Sequence, residues 1–336
     1  MTHKSESNGQ TDAIEKALQW LEAGHKVALA CVLQTWGSAP RPSGSLMAIR
    51  EDGLFEGSVS GGCVEGEVIT SAEDVIASGL PKTLTFGVAN NRAWEVGLAC
   101  GGEIRIYLHA LGQTDERLLK DIQQARHDKN PVVLVLDLAG GDHHQVAGEQ
   151  NESPPTASKS LRLDRALLLE DASQTLFYIP FNPPLRLFII GAVHVAKPLT
   201  NMALTAGFDV TVIDPRSAFR DAADFGRASV DGDWPDEALA RAGLDARTAL
   251  VTLTHDPKLD DAGLIEGLKS EAFYIGCLGS RKTHHERRER LGANGVSDHN
   301  LDRLDGPVGL DIGARSPEEI AVAILAGIIK SLRKPA

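Results

Sequence analysis

No stretch of this 336-residue chain approaches the ~20 consecutive apolar residues needed to span a bilayer, so a membrane-embedded role is not expected. Positive charge is in deficit: 34 Lys and Arg stand against 46 Asp and Glu, a net charge of −12. Nucleic acid is bound by a basic face that displaces phosphate counterions, so neither nucleic acid nor an anionic membrane surface is an expected partner. Cysteine is scarce. Cys31, Cys63, Cys100 and Cys277 are scattered and form no CxxC pair, which excludes a zinc ribbon, a thioredoxin-type motif and a disulfide framework. The first ten residues are polar and lack the apolar segment of a signal peptide, so a cytoplasmic location is expected. A G-x-S-x-G elbow, a Walker A loop and a lysine context suited to pyridoxal phosphate are all missing.

What is present is ordinary globular material. The chain is 42% hydrophobic and 24% charged, and its length suits about two domains. After a predicted helix from Asp12 to Gly24, strands are expected at 27–33, 46–49 and 54–59, the last two joined by a hairpin at Glu51-Asp52-Gly53. A helix from Val64 to about Ala77, strands at 82–87 and 103–109, and a long irregular stretch from Ala89 to Gly102 complete an N-terminal mixed α/β domain over 11–110. Residues 111–182 read as a connecting segment with some strand, including Pro131 to Leu136. Within it, 140–159 is rich in Gly, Ser, Pro and His and reads as a mobile loop, with His143-His144 in a turn of no special role.

From 183 to 334 strands alternate with helices, the signature of a parallel sheet covered on both faces. The overall fold class is therefore α/β, with a C-terminal Rossmann-like domain. Its first strand, Leu185 to Ile190, runs into Gly191-x-Val193-x-x-Ala196, where a Rossmann turn would present a helix amino end to a phosphate. Valine at the middle position blocks close approach of a pyrophosphate and weakens a dinucleotide reading. Asp214 ends the second strand, where an acid would meet a ribose hydroxyl; alternatively it only opens the turn before Pro215. His194 either contacts an anion at this crevice or is a solvated first-turn residue. Gly279-Ser280-Arg281 follows a later strand, and an arginine there suits bidentate phosphate recognition. The following His284, His285, Arg287 and Arg288 read as a basic exposed face, and Arg315 is a weaker candidate.

Two thiols lie beside glycines. Gly61-Gly62-Cys63 would form a tight exposed turn at a helix amino end, where the partial positive charge favours thiolate. Cys100-Gly101-Gly102 repeats the association. Soft thiolates at such places suit sulfur transfer or a soft metal. The alternative for any cysteine is a small buried residue, and this fits Cys31 and Cys277, which lie inside apolar strands.

At these residues the chain closely resembles the XdhC/CoxI family of xanthine dehydrogenase accessory proteins. The resemblance rests on Thr35-Trp36-Gly37-Ser38-Ala39-Pro40-Arg41-Pro42, on Ser58-Val59-Ser60-Gly61-Gly62-Cys63-Val64-Glu65-Gly66 and on the run from Trp94 to Gly102. It continues in Gly191-Ala192-Val193-His194, Asp214-Pro215-Arg216, Gly279-Ser280-Arg281 and Gly309-Leu310-Asp311-Ile312-Gly313. Many relatives carry glycine where Val193 stands. The resemblance implies a chaperone without turnover of its own. Such a protein binds the molybdenum cofactor (molybdopterin), assists replacement of an oxo ligand by sulfide, and delivers the product to an apo molybdenum hydroxylase. A cysteine desulfurase would donate the sulfur, and a homodimer is implied. Carried onto this chain, Cys63 and Cys100 become candidates for holding molybdenum or its sulfide, with Gly61, Gly62 and Gly101 beside them. Gly191, His194, Asp214 and Arg281 become the candidate cradle for the pterin and its phosphate. The alternative reading is an NAD(P)-dependent oxidoreductase using the Rossmann half.

Overall fold

In the computed structural model, residues 9–37, 41–87, 102–139, 143–147, 154–171 and 174–333 are described. The chain divides into two compact units, Met1–Pro183 and Pro184–Ala336. No helix among the described residues is long and apolar enough to cross a membrane.

The first unit opens with helix α1 (Gly9–Glu22), followed by strands β1 (Val27–Trp36), β2 (Leu46–Arg50) and β3 (Phe55–Gly57), helix α2 (Glu65–Ser78), and strands β4 (Lys82–Phe86) and β5 (Glu103–Ala110). The five strands form one antiparallel sheet in the order β3-β2-β1-β5-β4. Side chains alternate across a strand, and β1 shows the consequence. Leu29, Cys31 and Leu33 enter one core with α1, whereas Ala28, Ala30 and Val32 enter another with Val64, Val68, Ala72 and Val75 of the α2 segment.

Residues 111–182, expected as a connecting segment, are instead an integral layer of this unit. They form helix α3 (Gln113–His127), strands β6 (Val132–Asp137) and β7 (His143–Ala147), helix α4 (Pro155–Leu163), and strands β8 (Leu167–Glu170) and β9 (Thr175–Phe181). The strands make a second antiparallel sheet, β7-β6-β9-β8. Leu118, Leu119 and Ile122 of α3 share a core with Leu134 and Leu136 of β6, Phe177 and Ile179 of β9, and the α1 face of the first sheet. The opposite face of the second sheet, Val133 and Val135, packs on Ala157 and Leu161 of α4. The expected loop at 140–159 thus contains a strand and a helix. Full pairing with β6 overrides the weak intrinsic preference of His143–Ala147 for a strand.

The second unit contains strands β10 (Arg186–Ile190), β11 (Asp209–Ile213), β12 (Ser229–Asp231), β13 (Thr248–Thr252), β14 (Tyr274–Cys277) and β15 (Leu304–Asp305). Between them run helices α5 (Ala196–Thr205), α6 (Ser217–Arg220), α7 (Pro235–Ala242), α8 (Pro257–Lys269), α9 (Arg281–Ala293) and α10 (Asp298–Leu301), and helix α11 (Pro317–Arg333) closes the unit. The six strands are parallel in the order β12-β11-β10-β13-β14-β15, the doubly wound Rossmann order. Both faces are buried, which is why these strands read as continuous apolar runs. Leu187 and Ile189 of β10 pack with α5 and α11, while Phe188 and Ile190 pack with α7 and α8.

After β15 the chain lies directly on α11, with Leu310 N–H donating to Ala323 O over 3.1 Å. Gly309 makes this approach possible. It has a φ of +91°, and a Cβ there would lie 2.7 Å from the Ala323 carbonyl carbon. The obstruction is backbone, so it cannot be relieved by rotating a side chain. Gly309→Ala is expected to destabilise the protein by about 1–3 kcal/mol through overpacking and left-handed strain. The measurement is the urea midpoint of unfolding, which should fall relative to wild type.

Candidate cofactor site

In a doubly wound sheet, ligands bind outside the carboxyl ends of the strands where the strand order reverses. In the second unit this is the gap between β10 and β13. Gly191 leaves β10 with a φ of +105°, and a Cβ there would meet Thr254 Cγ2 at 2.4 Å, so only glycine lets the two loops close on each other. The turn that follows contains the exposed His194 and the half-buried Val193, and leads into α5. Across the gap, His255 has a φ of +61°, a strained value for a residue with a side chain. Asp256 then caps α8 by accepting from Lys258 N–H over 3.0 Å.

Asp214 does not present itself to a ribose. It is fully buried, and its two oxygens accept from Ala192 N–H (2.9 Å), Arg216 N–H (3.0 Å) and two guanidinium nitrogens of Arg216 (2.9 and 2.8 Å). Burial alone would raise its carboxyl, but these bonds outweigh that and hold it below the ordinary range. Its role in the structure is to fix the Gly191 turn and to orient Arg216. The expectation of a ribose-binding acid missed this because sequence places Asp214 at the right position without showing that its oxygens are occupied.

Arg281 is exposed in the first turn of α9, where Ser280 caps the helix by accepting from Thr283 N–H over 3.1 Å. The expected exposed basic face is wrong for Arg287, which is 1% exposed. Its guanidinium donates to Leu278 O at 3.0 Å and stands 3.5 Å from Asp260 Oδ2, an ionic approach longer than a hydrogen bond. The other Asp260 oxygen accepts from the Thr254 hydroxyl at 2.7 Å. A buried chain of polar groups therefore links the loops after β13 and β14. Two Arg287 donors, Nε and Nη1, are buried without a partner, and a Cβ at Gly279 would lie 3.7 Å from Nη1. Buried donors of this kind are rare, and the counter-charge they face is the chain's own Asp260. The four-residue step from Arg287 to Leu291, the two buried residues of α9, was the available signal, but adjacent charges obscured it.

In the first unit the Gly61-Gly62-Cys63 turn is built around Glu65, a residue sequence reasoning passed over. Its buried carboxylate accepts from the backbone N–H groups of Ser60 (2.9 Å), Gly61 (3.1 Å), Gly62 (2.9 Å) and Val64 (3.2 Å), and from the hydroxyls of Ser58 and Ser60. Gly61 and Gly62 wrap around it with φ values of +81° and +115°. Cys63 is half-buried, and its N–H is taken by Ser60 Oγ at 3.0 Å. The amino end of α2 is thus filled by the chain's own carboxylate, and Cys63 lies half-buried where an exposed thiol is expected. Cys100 and Gly101 lie outside the described residues. Cys31 and Cys277 are buried as expected, and burial pushes the Cys277 thiol up to about 11 against the opposing pull of Arg287.

Burial acts to raise the Glu65 carboxyl, yet the bonds from Ser60 and Ser58 prevail and hold it at about 2. A carboxylate depressed in the folded state adds stability above its unfolded value near 4.3, and that stability is lost as pH falls toward 2. Glu65→Gln should therefore lower the unfolding free energy by roughly 2 kcal/mol at pH 7. Urea titrations of both proteins at pH 7 and pH 3 check this, and the gap between them should narrow at the lower pH.

Residues 20–87 match the model of the XdhC and CoxI family, and residues 187–328 match that of the XdhC Rossmann domain. The chain is 28% identical over 331 residues to the molybdenum cofactor insertion chaperone PaoD of Escherichia coli, covering 97% of this chain and 91% of that one. It is 29% identical over 326 residues to a probable xanthine dehydrogenase subunit from Bacillus subtilis, covering 94% and 96%. Its structure is similar to that of a xanthine dehydrogenase from Bacillus halodurans, with 26% identity, a TM-score of 0.73 and 97% of each chain covered. With the two domain models matched in both halves and relatives aligned along nearly the whole length, the chain belongs to the XdhC and CoxI family.

Proposed function

We propose that this protein binds the molybdenum cofactor and assists its sulfuration and insertion into an apo molybdenum hydroxylase such as a xanthine dehydrogenase. The observation that carries the reading is the near full-length likeness to a molybdenum cofactor insertion chaperone. The crevice of the Rossmann unit fits such a group. It presents the exposed Arg281 in the first turn of α9, suited to an anionic phosphate, on loops that are held rigid by the Gly191 turn closing on Thr254 and by the buried Asp260 and Arg287. His194 stands exposed at the same edge and can contact the ligand from the solvent side. Asp214 acts through the turn and through Arg216, as a positioning residue.

Cys63, held half-buried on the rigid Glu65 turn, is the candidate thiol for molybdenum or its sulfide, with Cys100 as its proposed companion. Bound to the protein, the cofactor supplies the molybdenum whose oxo ligand is exchanged for sulfide before delivery. A cysteine desulfurase is the proposed sulfur donor and a homodimer the proposed assembly. The NAD(P) reading is the weaker one, because the acid it requires, Asp214, has both oxygens engaged inside the protein.

Protein purified anaerobically from cells supplied with molybdate should carry molybdenum and pterin in near-equal amounts per chain. Absence of both, in cells that make the cofactor, would contradict the reading. NADH and NADPH titrations should show no binding at millimolar cofactor; tight binding abolished by Asp214→Ala would favour the oxidoreductase instead.

A further inference from the structure

Away from the crevice and from Cys63, three metal-ligating side chains converge inside the first unit. His109 lies near the end of β5, Asp115 in the first turn of α3, and His143 opens β7. All are sheltered: His109 is 4% exposed, and the side chains of His143 and Asp115 are 5% and 16% exposed. One ligand atom from each lies within 4.8 Å of the other two. His143 Nδ1 is hydrogen-bonded to Asp115 Oδ1 at 2.7 Å, and the second Asp115 oxygen accepts from Gly112 N–H at 2.8 Å. The two imidazole rings are 4.2 Å apart between centroids.

What remains there is unsatisfied. His109 Nδ1, His143 Nε2 and the Tyr107 hydroxyl are buried without a hydrogen-bond partner. A small cavity opens among the three residues and is otherwise lined by leucines, among them Leu29, Leu118 and Leu134. Two buried ring nitrogens in a leucine-lined space lack the partners that buried polar atoms almost always have.

We propose that His109, Asp115 and His143 form a structural site for one divalent transition-metal ion of the zinc type. Two imidazole nitrogens and a carboxylate oxygen suit zinc and its neighbours, whereas calcium and magnesium take oxygen ligands. Zinc bonds of about 2.0–2.2 Å place ligand atoms about 3.4 Å apart, so small side-chain movements from the present spacing bring all three onto one ion. Asp115 exchanges its hydrogen bond with His143 for a bond to the metal, and the ion takes up the small cavity between the three side chains. Because the three residues come from β5, α3 and β7, the ion ties the first sheet of this unit to the second. The site is independent of the proposed cofactor role.

The test uses full-length protein carrying Cys63→Ser and Cys100→Ser, so that the candidate thiols do not capture the probe. After chelator treatment it is titrated with Co2+, read by its visible d–d bands, and with Zn2+, read by calorimetry and thermal melting. The expected result is one ion per chain at micromolar concentration, with a raised melting temperature, both lost in His143→Ala and in Asp115→Asn. No uptake, or uptake that survives both substitutions, would overturn the proposal. Should those variants fail to fold, the parent protein decides. A melting temperature that rises with Zn2+ and returns with chelator supports the site, and one indifferent to both rejects it.

Discussion

Asp214 sits at the carboxyl end of β11 with no exposure to solvent, joined to the turn after β10 through Ala192 and to the next segment through Arg216. A buried carboxylate is tolerated only when its lone pairs are filled, and here four donors fill them. The consequence extends beyond Asp214. The Gly191 turn is held against Thr254, Thr254 is held to Asp260, and Asp260 faces Arg287. The proposed binding edge of the sheet is thereby ordered in advance, which would reduce the entropy lost on binding.

The first unit applies the same device to another end. Glu65 gathers backbone amides of the Ser60 to Val64 turn, and Asp214 accepts from the Ala192 amide beside Gly191. In both places the chain's own carboxylate occupies a spot that would otherwise attract an external anion. In the proposed reading, the ligand is met by side chains around these fixed turns, the exposed Arg281 in one unit and the Cys63 thiol in the other.

Elements with strong periodicity were legible from sequence. The apolar runs of β10, β11 and β13 announce a doubly covered parallel sheet, and Gly191 marks its first turn. The segment from 111 to 182 is poorly legible in sequence because its logic is tertiary. His143–Ala147 is a strand through pairing with β6, and α3 is anchored by three apolar residues that meet both sheets. Site residues divide the same way. Gly61, Gly62, Cys63 and Arg281 stand in motifs that sequence displays. Glu65, Arg287 and His143 act through partners distant along the chain or through burial, and a linear pattern shows neither.

The division of labour between crevice and thiol is the central claim, and one comparison tests it directly. Arg281 is exposed, so Arg281→Ala removes a charge at the crevice with little effect on folding, while Cys63→Ser removes only the thiol. Pterin per chain and the sulfidated fraction of the recipient hydroxylase are measured for both variants beside wild type. Arg281→Ala should lose pterin, and Cys63→Ser should keep pterin but lower the sulfidated fraction. Unchanged pterin in Arg281→Ala together with full sulfidation in Cys63→Ser would contradict the claim.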